Sequence, residues 1–208
     1  MKYRALTVSR EFGSGGGRIA KTIAGWLGWR LLDNELIASI AEAARVDSKV
    51  VRHYDEHVDS WLQRLNEEAV RGVAMAAGRP FNEEDIFDAQ AMVDLTRRII
   101  EEAYAAGNCV IVGRGAQCIL EHKADVFHVF VSASLRDRMH RLKRRLEPGA
   151  DIALRIRSVD SERAKYLHQT FGRNWCDHRL YEMMIRSEED EGATARAIYY
   201  AMTAQAHA

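Results

Sequence analysis

Apolar positions along this chain recur with two different periods, and the changes of period mark out the elements. Residues 3–9 alternate loosely and carry Leu6, Thr7 and Val8, which predicts a short strand. The glycine run that follows cannot continue a packed strand. Ile19, Ala20, Ile23, Ala24 and Leu27 then recur at helical spacing, with Gly28 suited to the exit. Trp29 to Leu32 reads as a second short strand, and Asp33 is placed to cap a helix over residues 34–45. A helical stripe of Val58, Trp61, Leu62, Leu65, Ala69 and Val73 follows, and another helix is expected over residues 84–106, stopped by Gly107 and Asn108. The β-branched run from Cys109 to Val112 suits a strand buried on both faces.

A further strand is expected over residues 126–131. It leads into a basic helix broken by Pro148 and Gly149, then a charged helix over 151–169. A last strand at 182–185 and a closing helix over 194–206 complete the pattern. Strands separated by helical crossovers predict a single α/β domain: a central, mostly parallel sheet flanked by helices on both faces.

Composition narrows the function classes. The chain has 208 residues, enough for one substantial core, with 47% hydrophobic and 29% charged side chains. Its 30 basic and 30 acidic residues cancel, so the field that draws a protein to DNA or RNA is missing, and neither is expected as a partner. Cys109, Cys118 and Cys176 lack the spacing of a disulfide framework or a structural zinc site. The first residues do not form a signal peptide, and no run approaches a membrane span, so a soluble cytoplasmic protein is expected. Oligomeric state is not encoded in any pattern noted here.

The candidate chemistry begins at the glycine run. Gly13, Ser14, Gly15, Gly16 and Gly17 lie between a predicted strand and a helix, where backbone N–H groups can curl around a phosphate and the helix N-terminus adds positive charge. No window supplies the full Walker A pattern of glycine, four residues, glycine, lysine and serine or threonine. Arg18 is the nearest cation; Lys21 and Thr22 lie a turn inside the helix. Arg114 sits between Gly113 and Gly115 just beyond a buried strand, where parallel sheets present ligand loops and where an arginine grips phosphate bidentately. Arg155, Arg157 and Arg163 belong to a basic stretch that reads either as a lid over transferred phosphates or as a solvated charged face; the three cannot share one helical face. His53 and His57 read as an exposed polar face. His168, Cys176 and His178 make no metal motif, so no protein-held metal is assigned. Trp26, Trp29, Trp61 and Trp175 read as packing residues.

Taken in order, these segments resemble the cytidylate kinase-like family of P-loop nucleoside monophosphate kinases, in its divergent branch. The resemblance is carried by Ser9-Arg10-Glu11-Phe12-Gly13-Ser14-Gly15-Gly16, by Leu32-Asp33, by Val110-Ile111-Val112-Gly113-Arg114-Gly115, by residues 159–166 and by Gly172-Arg173-Asn174-Trp175. It implies a three-layer kinase-like sandwich, an acceptor-binding region near residues 34–107 and a mobile lid near 136–173. It also implies ATP with Mg2+ and a nucleoside monophosphate acceptor, CMP or dCMP; a kinase for another small phosphorylated or hydroxylated acceptor is an alternative. By position, Gly13 to Gly17 become the phosphate loop, Asp33 and Arg114 bind the acceptor, and Arg18, Arg114, Arg155, Arg157 and Arg163 are the catalytic cations. In that alignment Gly16 occupies the place of the P-loop lysine, Gly115 replaces an aspartate, and Ser39 falls where an acceptor-binding arginine is expected. A regulatory nucleotide-binding protein with a degenerate kinase site is the rival reading.

Overall fold

The computed structural model describes residues 1–33, 83–146, 149, 151–187 and 190–204, with the side chains of 83–92 and Leu95 set aside. The helix expected over 34–45, the stripe from Val58 to Val73, and Ser39, His53 and His57 lie outside the described residues. Five strands form one sheet: β1 (Ala5–Arg10), β2 (Arg30–Leu32), β3 (Cys109–Val112), β4 (Val126–Ser132) and β5 (Met183–Arg186). Their spatial order is β2-β3-β1-β4-β5, and every pairing is parallel. The expected mostly parallel sheet is therefore wholly parallel among the described strands.

Helices connect the strands: α1 (Gly16–Leu27), α2 (Glu83–Ala106), α3 (Ala116–Ile119), α4 (Leu135–Lys143), α5 (Ile152–Phe171) and α6 (Glu191–Ala204). Leu6, Val8, Val110, Val112, Phe127, Val129 and Val131 turn to one face of the sheet, where they pack with Ile19, Ile23, Ile198 and Met202 of α1 and α6. Ala5, Cys109, Ile111 and Val126 turn to the other, against Ile100 and Ala103 of α2 and Leu120. Burial on both faces explains why β3 and β4 are nearly continuous apolar runs rather than alternating ones. A third cluster, Phe130, Tyr166, Leu167, Trp175, Leu180 and Tyr181, joins α5 to the sheet. Trp175 thus packs as expected, edge-on to Phe130 at 5.2 Å, whereas Trp26 is an exposed residue leaning on Tyr199.

Because all strands run one way, their carboxyl ends share one edge of the sheet. That edge receives Glu11 to Gly15 after β1, Asp33 after β2, Gly113 to Gly115 after β3, and Ala133 and Ser134 after β4. Loops from opposite ends of the sequence meet there, the geometry by which open parallel sheets form ligand crevices. No helix among the described residues is long and apolar enough to cross a membrane.

A buried histidine lies within the sheet itself. His128 is buried in β4, with Nδ1 2.7 Å from Thr7 Oγ1. Burial lowers its pKa, against the opposing influence of Glu182. The unfolded chain therefore binds the proton more readily, so this contribution to stability is complete above the ordinary histidine value of 6.5 and is lost as the pH falls below it. Denaturant unfolding measured from pH 7.5 to 5 should show stability declining toward acid, with a shallower decline in His128→Gln. Identical slopes in the two proteins would contradict this assignment.

Candidate functional site

The glycine run forms a tight turn whose shape is set from behind. Gly13 and Gly15 hold φ of 80° and 84°, backbone conformations that a Cβ disfavours. Gly15 is the N-cap of α1 and makes no side-chain cap hydrogen bond. Ile19 N–H returns to Gly15 O at 3.0 Å and Gly16 N–H reaches Ser14 Oγ at 3.4 Å. No acceptor among the described residues takes the N–H groups of Gly17 and Arg18, which lie in the first turn, where a helix has no internal acceptors. Such a turn presents partial positive charge to an anion.

The carbonyls of the same loop are claimed by arginines. Arg163 of α5 donates from Nη1 to Arg10 O at 2.9 Å. Arg138 of α4 donates from Nε to Phe12 O at 2.7 Å, and Arg141 donates from Nη1 to Ser14 O at 3.2 Å and Gly13 O at 3.4 Å. Two acids complete the brace. Asp160 accepts from Phe12 N–H at 2.8 Å and pairs with Arg138, while Glu11 accepts from Ala133 N–H at 2.9 Å and lies 3.3 Å from Arg138 Nη1. Arg138 is buried, so its charge is viable only with these partners.

Of the arginines expected in a lid, Arg163 is thus drawn under the loop, its guanidinium 5.8 Å from the centre of the Phe12 ring. It lies in register with the buried stripe Ile156, Val159, Tyr166 and Leu167. Arg155 and Arg157 are about two turns back along α5; Arg155 is half-buried, and Arg157 is exposed, roughly 120° around the helix from Arg163. Arg18 is half-exposed and forms a forked pair with Glu191 of α6. Glu191 also lies 3.3 Å from Arg141 Nε and rests its carboxylate against Gly15, where a Cβ would displace it. Arg18, Arg141 and Glu191, with Asp137, His140 and Arg144, line a cavity of about 400 Å³ beside the loop.

Arg114 follows β3 with φ of 58°, a left-handed conformation rarely held by a non-glycine residue. It is half-buried, and its charge is felt at Tyr166, as is that of Arg97 on α2, whose guanidinium is 5.9 Å from the Phe171 ring centre. Gly115 is closed over by the Phe171 ring, with Cζ 2.8 Å from where a Cβ would sit. Asp33 stands at the end of β2, its Oδ2 3.9 Å from the position a Gly17 Cβ would take.

The remaining cation is Arg10, the last residue of β1. Its side chain runs past Gly16 to Gly113, leaving no room for a Cβ at either glycine. Burial lowers its pKa while Asp33 acts in the opposite direction. Burial and then the Arg10 charge bring Arg163 down to about 9. Two guanidiniums are crowded at this edge of the sheet. Both cysteines near the core are held as thiols, Cys109 pushed up to about 11 and Cys118 to about 12 by burial, which makes them poor nucleophiles. Among the described residues no group of three or more His, Cys, Asp or Glu side chains is arranged to hold a metal.

Sequence reasoning placed the loop, Asp33 and Arg114 on this edge, but it did not single out Arg10, Arg97, Arg138, Arg141, Asp160 or Glu191. The available signal was an arginine in step with an apolar stripe, as at Arg163, and the same-face spacing of Arg138 with Arg141 and of Asp160 with Arg163.

The cytidylate kinase-like family model matches residues 5–189. No curated protein matches in sequence. Solved structures share the fold: an uncharacterized protein from Eubacterium ventriosum is 20% identical with a TM-score of 0.66, covering 95% of this chain and 97% of that one. Shikimate kinase from Bacteroides thetaiotaomicron is 15% identical with a TM-score of 0.53, covering 98% of both chains. Shikimate kinase from Acinetobacter baumannii, solved with shikimate, is 10% identical with a TM-score of 0.52, covering 98% of this chain and 94% of that one.

The brace behind the loop has a direct test. Asp160→Ala leaves the buried Arg138 guanidinium and the Phe12 N–H without this acceptor, and losing one partner of such a pair costs about 3 kcal/mol. Denaturant titration should show a loss of that order, and a change under about 0.5 kcal/mol would show that the pair does not support the loop.

Proposed function

The chain belongs to the cytidylate kinase-like family, and from that premise we propose that it transfers a phosphoryl group from ATP to a nucleoside monophosphate, CMP or dCMP. The observation that carries this reading is the loop at the head of α1, braced through its carbonyls, with the Gly17 and Arg18 N–H groups unclaimed among the described residues, beside cations from other elements. Phosphoryl transfer asks for positioning and charge compensation rather than a strong base, and this edge of the sheet is suited to both.

In this reading Gly13 to Gly17 cradle the donor phosphates. The cavity beside Arg18 and Glu191 takes the donor's nucleoside end, its volume of about 400 Å³ lying in the range of small-ligand sites. Arg114 grips the acceptor phosphate, and Arg97 and the Phe171 ring lie on the same side. Arg163 steadies the loop from beneath, and Arg155 and Arg157 remain the lid cations. Mg2+ would be held by Asp33 together with phosphate oxygens and water, since Mg2+ is commonly bound by one or two carboxylates plus substrate. The Asp33 carboxylate stands beside Gly17, where the alignment lacks the usual hydroxyl. Bound there, the metal would supply charge neutralisation on the transferred phosphate. A cytoplasmic setting belongs to the same reading, in keeping with three free cysteines.

A kinase for a different small acceptor is the second reading. Two structures of similar fold are shikimate kinases, and an arginine fork binds a carboxylate as well as a phosphate.

Turnover of Mg-ATP against a panel of nucleoside monophosphates and hydroxylated carboxylic acids separates these readings. Diphosphate product from CMP or dCMP supports the first; product from a hydroxy acid alone supports the second; saturable binding with no product from any acceptor contradicts both. Arg114→Ala should raise the acceptor KM by about tenfold or more while ATP affinity holds, the signature of a lost charge-assisted contact to the acceptor. An unchanged acceptor KM would remove Arg114 from that role.

A further inference from the structure

Building on the ATP-binding part of the proposed function, we infer that Arg10 is the phosphate-gripping cation of this loop, its guanidinium entering from the loop's first position to stand in for the ammonium that Gly16 lacks.

The spacing supports this exchange. Counting back from the N-cap Gly15, with Gly16 in the lysine place, the Walker pattern puts its first glycine at residue 10. This chain carries arginine there and glycine at 16, so a long cation and a glycine have traded positions. Space in the structure explains why both had to change. A Cβ at Gly16 would sit 2.6 Å from Arg10 Cβ and 3.1 Å from Arg10 Cγ. Gly16 is not among the residues with positive φ, so its backbone does not require glycine; the Arg10 stem does. At its far end the same side chain lies on Gly113, where an added Cβ would strike Nη1. Glycines at 16 and 113 thus form the two ends of a slot for one arginine, and the slot lies between the phosphate turn after β1 and the loop carrying Arg114 after β3.

Charge indicates what Arg10 is for. Arg138 and Arg141 are bonded to loop carbonyls and acids, and Arg18 is forked on Glu191. Arg10 stands instead beside another cation, Arg163, with Asp33 as the acid whose field reaches both. Asp160 also acts on Arg163 but is already paired with Arg138, so the guanidiniums of Arg10, Arg138 and Arg163 outnumber these two carboxylates and leave positive charge that a polyphosphate would neutralise. Burial lowers the pKa of both Arg10 and Arg163, and at Arg163 the Arg10 charge adds to it.

The test uses the full chain and Mg-ATP binding by calorimetry, with AMP as the short-phosphate control. Arg10→Met keeps a stem against Gly16 and removes the charge. It should weaken ATP binding about ten- to a hundredfold, the range expected for one charge-assisted contact, with a much smaller effect on AMP and no fall in the ligand-free Tm. The double variant Arg10→Gly with Gly16→Lys restores the ordinary arrangement and should recover ATP affinity that Arg10→Gly alone loses. Gly16→Lys alone collides with the Arg10 stem and should lower Tm. Arg10→Met binding ATP like the wild type, losing ATP and AMP affinity equally with a lowered Tm, or a double variant no better than Arg10→Gly would each overturn the assignment. A wild type that binds ATP through Arg10 but makes no product defeats the transfer reading and leaves this inference standing. Transfer undiminished in Arg10→Met does the reverse.

Discussion

The structure depends on a set of guanidinium–carbonyl hydrogen bonds behind the turn that follows β1. Arg138, Arg141 and Arg163 donate to the carbonyls of Phe12, Gly13, Ser14 and Arg10, while no acceptor among the described residues takes the Gly17 and Arg18 N–H groups in the first turn of α1. A glycine-rich segment has high conformational entropy, and a flexible loop would spend binding free energy on ordering itself. Fixing the carbonyls from α4 and α5 removes that cost before any ligand arrives. It also links the loop to the helices after β4, so that movement of α4 or α5 would be felt directly at the phosphate turn.

Acidic groups divide the basic residues into two populations. Glu11 and Asp160 neutralise Arg138 beneath the loop, and Glu191 neutralises Arg18 and Arg141 at its flank. Arg10 and Arg163 share instead the field of Asp33, at the end of β2. The chain as a whole is neutral, with 30 charges of each sign, yet this edge of the sheet is locally positive. Charge counted over a whole sequence does not reveal that kind of separation, because it arises from which arginines fold next to acids.

Much of the fold was legible because burial on both faces writes itself into β3 and β4 as nearly continuous apolar runs, and because Gly28 and Gly107 end their helices at positive φ. The ends of elements were less legible. The last strand shifted by one residue, and α6 begins at Glu191, three residues before the expected start, where an N-terminal acid favours the helix. At the site, Arg114 and Asp33 were readable from their places after strands. The ion pair of Arg18 was not, because its partner, Glu191, is 173 positions away. The contact of Arg163 with the loop was hidden for a related reason: a charged helix appears solvated until its apolar stripe shows which side is buried. The Walker pattern also conceals the Arg10 exchange, since it looks for a lysine at one position and not for a cation reaching the same space from another.

The central claim is that this turn offers its backbone N–H groups to the phosphates of ATP. Backbone amide shifts of the 15N-labelled full chain, followed through a Mg-ATP titration, test it most directly. The account predicts saturable changes centred on Gly13, Gly15, Gly17 and Arg18, with smaller ones for AMP. Saturation by ATP with those four amides unmoved would contradict it.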